Sequence, residues 1–315
     1  MEQGRKTEKR TEQKRRREKG KRRRKQVENR MGERNILLVV EYDGSRYHGW
    51  QKQGNTEGTI QGKLEAVLAR MVGTPVEVHG SGRTDEGVHA RGQIANVHLP
   101  ESVRMELEEI LEYANRYLPE DIRVLSAFQV PPRFHSRLSA ERKTYRYYVE
   151  TGKKAGVFER KYVYRLGEVL DLDAMRTAAG FLVGEHDFRS FCGNRRMKKS
   201  TVRRLEKLEI HQEGTKVILD YTGNGFLYQM VRILTGSLLE VGMGKRRPEQ
   251  MAEILEAKDR QAAGFTAPPE GLFLMKVEYP EAALGQSAKE IRNIKSQSGV
   301  RRSEAWMPER EGSQE

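Results

Sequence analysis

Five consecutive apolar residues, Ile36, Leu37, Leu38, Val39 and Val40, form the first apolar stretch of the chain. A short, continuous, partly β-branched run of this kind predicts a strand covered on both faces, here over residues 34–43. Residues 43–59 (DGSRYHGWQKQGNTEGT) read as a loop, and Ile60, Leu64, Val67, Leu68 and Met71 then recur at helical spacing behind Thr59, a capping residue. Strands are predicted over 76–80 and 93–99, the second alternating Ala95, Val97 and Leu99 against Asn96 and His98. A second helix carries Val103, Leu107, Ile110, Leu111, Ala114 and Leu118, with Ser102 as its cap, and 121–130 is a further strand. The order βαββαβ is the split βαβ, ferredoxin-like arrangement that RNA recognition modules also use.

The second half varies the same theme. Strands over 144–150 and around 162–165 precede a helix over 172–182. Strands over 202–211 and 216–221 precede a helix over 226–241, a shorter one over 248–257 and a last strand near 272–279. The expected fold is therefore α+β: two fused ferredoxin-like halves, mixed or antiparallel sheets with helices packed on one side, and a cleft between the halves. The expected division is a basic arm over 1–34, an N-terminal half over 35–135, a C-terminal half over 136–280 and a polar tail over 281–315.

Charge changes this picture only at the N-terminus. Lys and Arg total 58 against 45 Asp and Glu, for a net +13. Residues 1–34 hold 16 basic and 6 acidic residues, so this arm carries +10 and the remainder only +3. Such an arm attracts phosphate backbones and is too hydrophilic to fold alone. Met31, opening MGERNILLVVEYDG, is an alternative start that would remove it. The single cysteine, Cys192, excludes an internal disulfide framework and a Cys-rich zinc site and fits a reducing, cytoplasmic setting. The basic N-terminus lacks the apolar core of a secretory signal, and no run of about 18 apolar residues predicts a membrane span.

Candidate chemistry centres on residues 80–90, GSGRTDEGVHA. Gly, Ser, Thr and Asp at this density make an exposed loop that can hold polar groups against a ligand, although a Thr-Asp pair beside Gly ordinarily forms a turn in which the Asp bonds its own backbone. In the earlier loop, Arg46, Tyr47, His48, Trp50 and Gln51 mix cation, aromatic and amide groups, as nucleotide contacts or, for Tyr47 and Trp50, as core. Arg195, Arg196, Lys198, Lys199, Arg203 and Arg204 are the densest basic cluster of the body, a phosphate-tracking strip or a solvated loop. GMGKRR at 242–247 lacks the first Gly and the hydroxyl residue of a P-loop, and the seven histidines include no HExxH pair.

GRTDEGVHA resembles the catalytic signature of the tRNA pseudouridine synthase A family, with Glu86 where the usual pattern has Ala. FHSRLSAERKTYRYYV (134–149) and GNGFLYQMVRILTGSLLEVG (223–242) resemble two further motifs of that family, in the expected order, and the likeness covers roughly residues 35–280. It implies that Asp85 is the nucleophile, attacking ribose C1′ or uracil C6 or triggering a glycal route. A buried carboxylate needs a cation to stay ionised. Arg232 stands about 150° from the centre of the stripe formed by Leu227, Met230, Val231, Leu234, Leu238 and Val241; Tyr228 and Leu239 share its side, which suggests a second contact surface, and the resemblance makes Arg232 the ion-pair partner of Asp85. Tyr145 is expected to stack on the target base and is a possible base, Leu227 to pack the base from the other side, and Arg83 to contact the flipped nucleotide's phosphate or hold the RNA open. Phe134 and Arg137 are expected at the cleft wall or RNA backbone. Glu86, which could raise the Asp85 pKa if it pointed inward, is expected to face solvent.

The resemblance further implies tRNA as partner, uridines 38, 39 and 40 of the anticodon stem-loop as targets, a cytoplasmic homodimer, and no metal or cofactor. Three alternatives stand beside this reading. One is a pseudouridine synthase with a different RNA target, another a non-catalytic RNA-binding module built on the same sheet. The third is a metal-dependent phosphodiesterase using Asp85, Glu86 and His89, which lacks a second carboxylate-histidine cluster.

Overall fold

The computed structural model describes residues 33–153 and 156–291. Almost all of the basic arm, and the tail from residue 292, lie outside them. The first half runs β1 (Glu33–Tyr42), α1 (Ile60–Val72), β2 (Val78–Gly80), β3 (His89–Pro100), α2 (Leu107–Tyr117) and β4 (Ile122–Val130). The second runs β5 (Arg142–Glu150), β6 (Tyr164–Arg165), α3 (Leu172–Gly180), β7 (Gly184–Asp187), β8 (Val202–Glu213), β9 (Lys216–Gly223), α4 (Met230–Gly242), α5 (Gln250–Ala257) and β10 (Leu272–Glu278).

All ten strands join one open sheet, ordered β4-β1-β3-β10-β5-β9-β8-β7, with β2 paired to β3 and β6 to β5. The first half contributes β4-β1-β3-β2 and the second β10-β5-β9-β8. Taken as the first, second, third and fourth strands of a βαββαβ unit, both read 4-1-3-2, so the ferredoxin-like arrangement occurs twice. The units meet where β10 runs parallel to the start of β3, with Phe273 opposite His89 and Leu274 opposite Ala90. β2 is only three residues long and pairs with 95–97 of β3, which leaves the start of β3 open for β10.

Local differences from the pattern have physical causes. Residues 100–103 close a turn, with the Val103 N–H donating to the Pro100 carbonyl at 2.9 Å. Helix α2 therefore begins after Glu106, whose backbone N–H donates to the Glu109 carboxylate at 2.7 Å, and Ser102 is not its cap. Helix α4 begins at Met230, not 226, because Gln229 takes a left-handed backbone with φ of 59°. Phe226 and Leu227 accordingly lie on the preceding loop. Strand β7, four largely polar residues at the sheet edge, has no apolar alternation to announce it. Residues 281–291, expected as part of a polar tail, are instead packed on the body: Glu281–Leu284 form a short helix, α6, and Leu284, Ala288 and Ile291 are buried. Three apolar residues at helical spacing anchor that segment.

Candidate active site

The 80–90 loop is held from beneath by buried polar groups. The Ser81 N–H donates to the Ile94 carbonyl at 2.7 Å, and the Ser81 hydroxyl donates to Gln93 Oε1 at 2.6 Å. Gln93 Nε2 donates to the Gly82 carbonyl at 2.9 Å. Thr84 shares a 2.8 Å hydrogen bond with the Tyr42 hydroxyl, and its carbonyl accepts from the Trp50 N–H at 3.1 Å. Buried hydrogen bonds of this kind fix the loop in one conformation, because each group freed would stay desolvated. Tyr47 and Trp50 are themselves buried, so of the two readings of the 43–59 loop they take the core one.

Asp85 departs from the ordinary turn. Its carboxylate reaches across the seam to the second half, where Arg232 Nη1 donates to Oδ2 at 3.1 Å. The two side chains are only 17% and 12% exposed. Arg232 is fixed in turn: Nε donates to the Ala267 carbonyl at 2.7 Å, and the Arg232 carbonyl accepts from the Ala267 N–H at 3.0 Å. The segment around 263–268 is thus the second surface that contacts α4. Burial pushes the Asp85 carboxyl above its ordinary value, and the Arg232 charge and hydrogen bond pull it back.

Tyr145 lies on β5 between Leu274 of β10 and Tyr221 of β9 and is 7% exposed. Its phenol is pushed above the ordinary tyrosine value, first by burial and then by Tyr42 and Asp85, so it stays protonated at neutral pH. Phe226 packs edge-on against it, ring centroids 5.1 Å apart at 81°. Sequence reasoning missed Phe226 because it counted residue 226 as the start of a helix. Leu227, the next residue, is buried.

The remaining candidates are dispersed. Arg83 is exposed on the rim, with Nε donating to Gln51 Oε1 at 3.0 Å. Arg137 is exposed, whereas Phe134 is buried with its ring 5.0 Å from that of Tyr279. Glu86 is 72% exposed beside His48, as expected. His89 is buried and stacked on Phe273, and its Nδ1 accepts from the Gly44 N–H at 3.1 Å, which commits that nitrogen to a backbone bond. Among the described residues no group of three or more His, Cys, Asp or Glu is arranged to hold a metal ion. In the basic cluster, Arg195, Arg196, Lys198, Lys199 and Arg204 are exposed and Arg203 is half-buried.

Comparison with known proteins bears on this geometry. A family model described as tRNA pseudouridine synthase matches residues 38–138 and 178–280. The chain is 46% identical over 245 residues to "tRNA pseudouridine synthase A" of Bacillus sp. (strain KSM-64), covering 78% of this chain and 99% of the relative. It is 48% identical over 241 residues to the protein of the same name from Halalkalibacterium halodurans, covering 76% and 90%. Among solved structures, a Cbf5-Nop10-Gar1 complex chain aligns at 15% identity with a TM-score of 0.32, covering 69% of this chain and 47% of that one, too distant to carry structural argument.

Proposed function

We propose that this chain, which belongs to the tRNA pseudouridine synthase family and isomerises uridine to pseudouridine in tRNA, does so through Asp85, with Arg232 as its counter-cation and Tyr145 against the target base. The reaction breaks the C1′–N1 bond and forms a C1′–C5 bond; C5 loses a proton and N1 gains one, with no change of oxidation state. Attack at C1′, attack at C6 and the glycal route all require an ionised carboxylate beneath a nucleotide flipped out of its stack. The observation that carries the reading is the largely buried 3.1 Å pair between Asp85 and Arg232, residues 147 positions apart with Tyr145 beside them. A dry carboxylate held ionised by one fixed cation is primed for covalent attack.

In this reading Tyr145 supplies the stacking face and Phe226 props its edge. Leu227 closes the other side of the base, and Arg83 on the rim meets RNA phosphate. Arg137 also faces the RNA backbone, while Phe134 acts from behind by holding its segment in place. The targets are uridines 38, 39 and 40 of the anticodon stem-loop, and the working unit is a cytoplasmic homodimer, both as the family resemblance implies. The buried free thiol of Cys192 fits a reducing compartment, and no helix among the described residues is long and apolar enough to cross a membrane.

The test is tritium release from tRNA labelled at uracil C5. Wild type releases tritium without added metal or nucleotide, and Asp85→Asn falls by at least about 10³-fold while still binding tRNA. Comparable release by both proteins would remove Asp85 from the chemistry, and binding without release by either would favour a non-catalytic RNA-binding module.

A further inference from the structure

Lys143 lies two residues before Tyr145 on β5, so the two side chains leave the same face of the strand. Its ammonium donates to the Ser81 carbonyl, at the base of the loop that carries Asp85, at 2.8 Å. A Cβ at Gly82 would stand 3.5 Å from Lys143 Nζ and 3.7 Å from the Tyr145 hydroxyl. A side chain at Gly82 would be in contact with both groups, and its absence leaves a gap beside them. On the β9 side Lys143 is opposite Gly223.

The electrostatics around this gap are unbalanced. Among the described residues no carboxylate pairs with Lys143, and its charged neighbours are Arg137 and Arg203. Burial, with those two cations adding, pulls the ammonium down to about 8. Arg203 Nη1 donates to the Ser200 and Val202 carbonyls, at 3.1 and 2.6 Å, and among the described residues neither Arg203 nor Arg137 has a carboxylate partner. The nearby carboxylate, Asp85, is already held by Arg232. A half-buried lysine beside two arginines opposes folding unless an anion completes the set. The substrate is a polyanion, and flipping a nucleotide brings its flanking phosphates to the mouth of the pocket.

We infer that Lys143 binds a backbone phosphate next to the target uridine at the Gly82 gap, with Arg137 and Arg203 flanking it, which rests on the reading of the Asp85 loop as the catalytic loop. One ammonium hydrogen holds Ser81 and two remain for a phosphate, so phosphate binding and the position of the catalytic loop are linked through a single side chain. Lys143 is thereby a substrate-binding and loop-positioning residue, apart from the groups that act on the base.

The test measures tRNA affinity across a salt series for wild type, Lys143→Met, Lys143→Arg and Asp85→Asn. Lys143→Met is expected to bind about tenfold more weakly near 0.1 M salt, and its plot of log affinity against log salt is shallower by about 0.7–0.9, the slope of one lost phosphate contact. Lys143→Arg restores most of the loss. A methylphosphonate at the phosphates flanking the target uridine weakens wild type and leaves Lys143→Met no weaker than before. An unchanged salt slope, or a methylphosphonate effect of equal size in both proteins, would overturn the inference and leave Lys143 as a prop for Ser81.

Should Lys143→Met fail to fold, wild type and Lys143→Arg decide between pH 7 and 9. The groups around Nζ are Arg137 and Arg203, Tyr145, whose phenol burial raises, and Asp85, held by Arg232. Affinity of wild type falls relative to Lys143→Arg as the ammonium discharges, and parallel profiles would overturn the inference. Asp85→Asn separates the two readings: normal binding without tritium release upholds the catalytic loop whatever Lys143 does, and turnover by that variant removes it.

Discussion

Asp85 is a carboxylate in a place that opposes its charge. Its folded pKa lies above the ordinary value because burial outweighs Arg232, so the group binds its proton more tightly folded than unfolded. Its contribution to stability therefore rises as pH falls from the folded toward the unfolded pKa. At neutral pH the ionised group opposes folding, and Asp85→Asn, which mimics the protonated form, is expected to melt no lower than wild type by thermal denaturation. Activity has the opposite dependence. The acidic limb of kcat/KM lies above the usual aspartate range, because rate is lost as Asp85 takes up its proton. Arg232→Met removes the main influence lowering that pKa, moves the limb to higher pH and reduces kcat/KM by about 10²-fold; Arg232→Lys moves it less. An acidic limb unmoved by Arg232→Met would break the link between the pair and catalysis. These residues were legible in sequence for different reasons. Asp85 was legible through the family motif around it, since Thr-Asp beside Gly alone reads as an ordinary turn, and Arg232 because it stood off the apolar stripe of its helix within a second motif. Lys143 gave no such sign, because the worth of a strand lysine depends on which loop crosses above it.

At the scale of elements, α4 connects the site to the core. Apolar periodicity predicted one buried stripe, whereas the helix is buried almost all round, with Arg232 and Glu240 its main polar side chains and both turned toward the 263–268 segment. Tyr228 and Leu239 had pointed in sequence to a second surface on the side of Arg232, but not to the segment that supplies it, since its nearest contact is with backbone. A Cβ at Gly236 would stand 1.9 Å from the Phe265 carbonyl oxygen. The helix start was misread for a related reason: Phe226 and Leu227 continue the apolar stripe, but the left-handed Gln229 breaks the helix behind them. Gly236→Ala must therefore displace 263–268, and with it the Ala267 carbonyl that fixes Arg232. The expected cost is about 1–3 kcal/mol in urea denaturation, the range for overpacking, with a further fall in kcat beyond the unfolded fraction. A loss of stability with kcat per folded molecule unchanged would show that 267 does not position Arg232.

At the scale of the molecule, the repeated 4-1-3-2 order explains why the site lies where it does. Neither unit holds a complete set: Asp85 and Arg83 come from the first, and Tyr145, Phe226 and Arg232 from the second. The parallel contact of β3 with β10 sets the distance between them, and it begins at His89, four residues after Asp85. Each βαββαβ pattern was legible from periodicity alone; their merger was not, because two paired residues on each strand leave no periodic trace. The seam is also tight, since a Cβ at Gly92 would lie 2.4 Å from the Met275 carbonyl oxygen. Gly92→Val should push β3 from β10 and move Asp85 relative to Arg232 and Tyr145 while leaving the rim residues proposed to meet RNA phosphate. Misplacement of reacting groups by about 1 Å costs about 10²-fold in rate, so tritium release should fall by that order while tRNA affinity stays within about threefold. Equal losses of binding and turnover would instead mean that the seam shapes the RNA surface as a whole, and the division between a first unit that brings the carboxylate and a second that holds it ionised would lose its support.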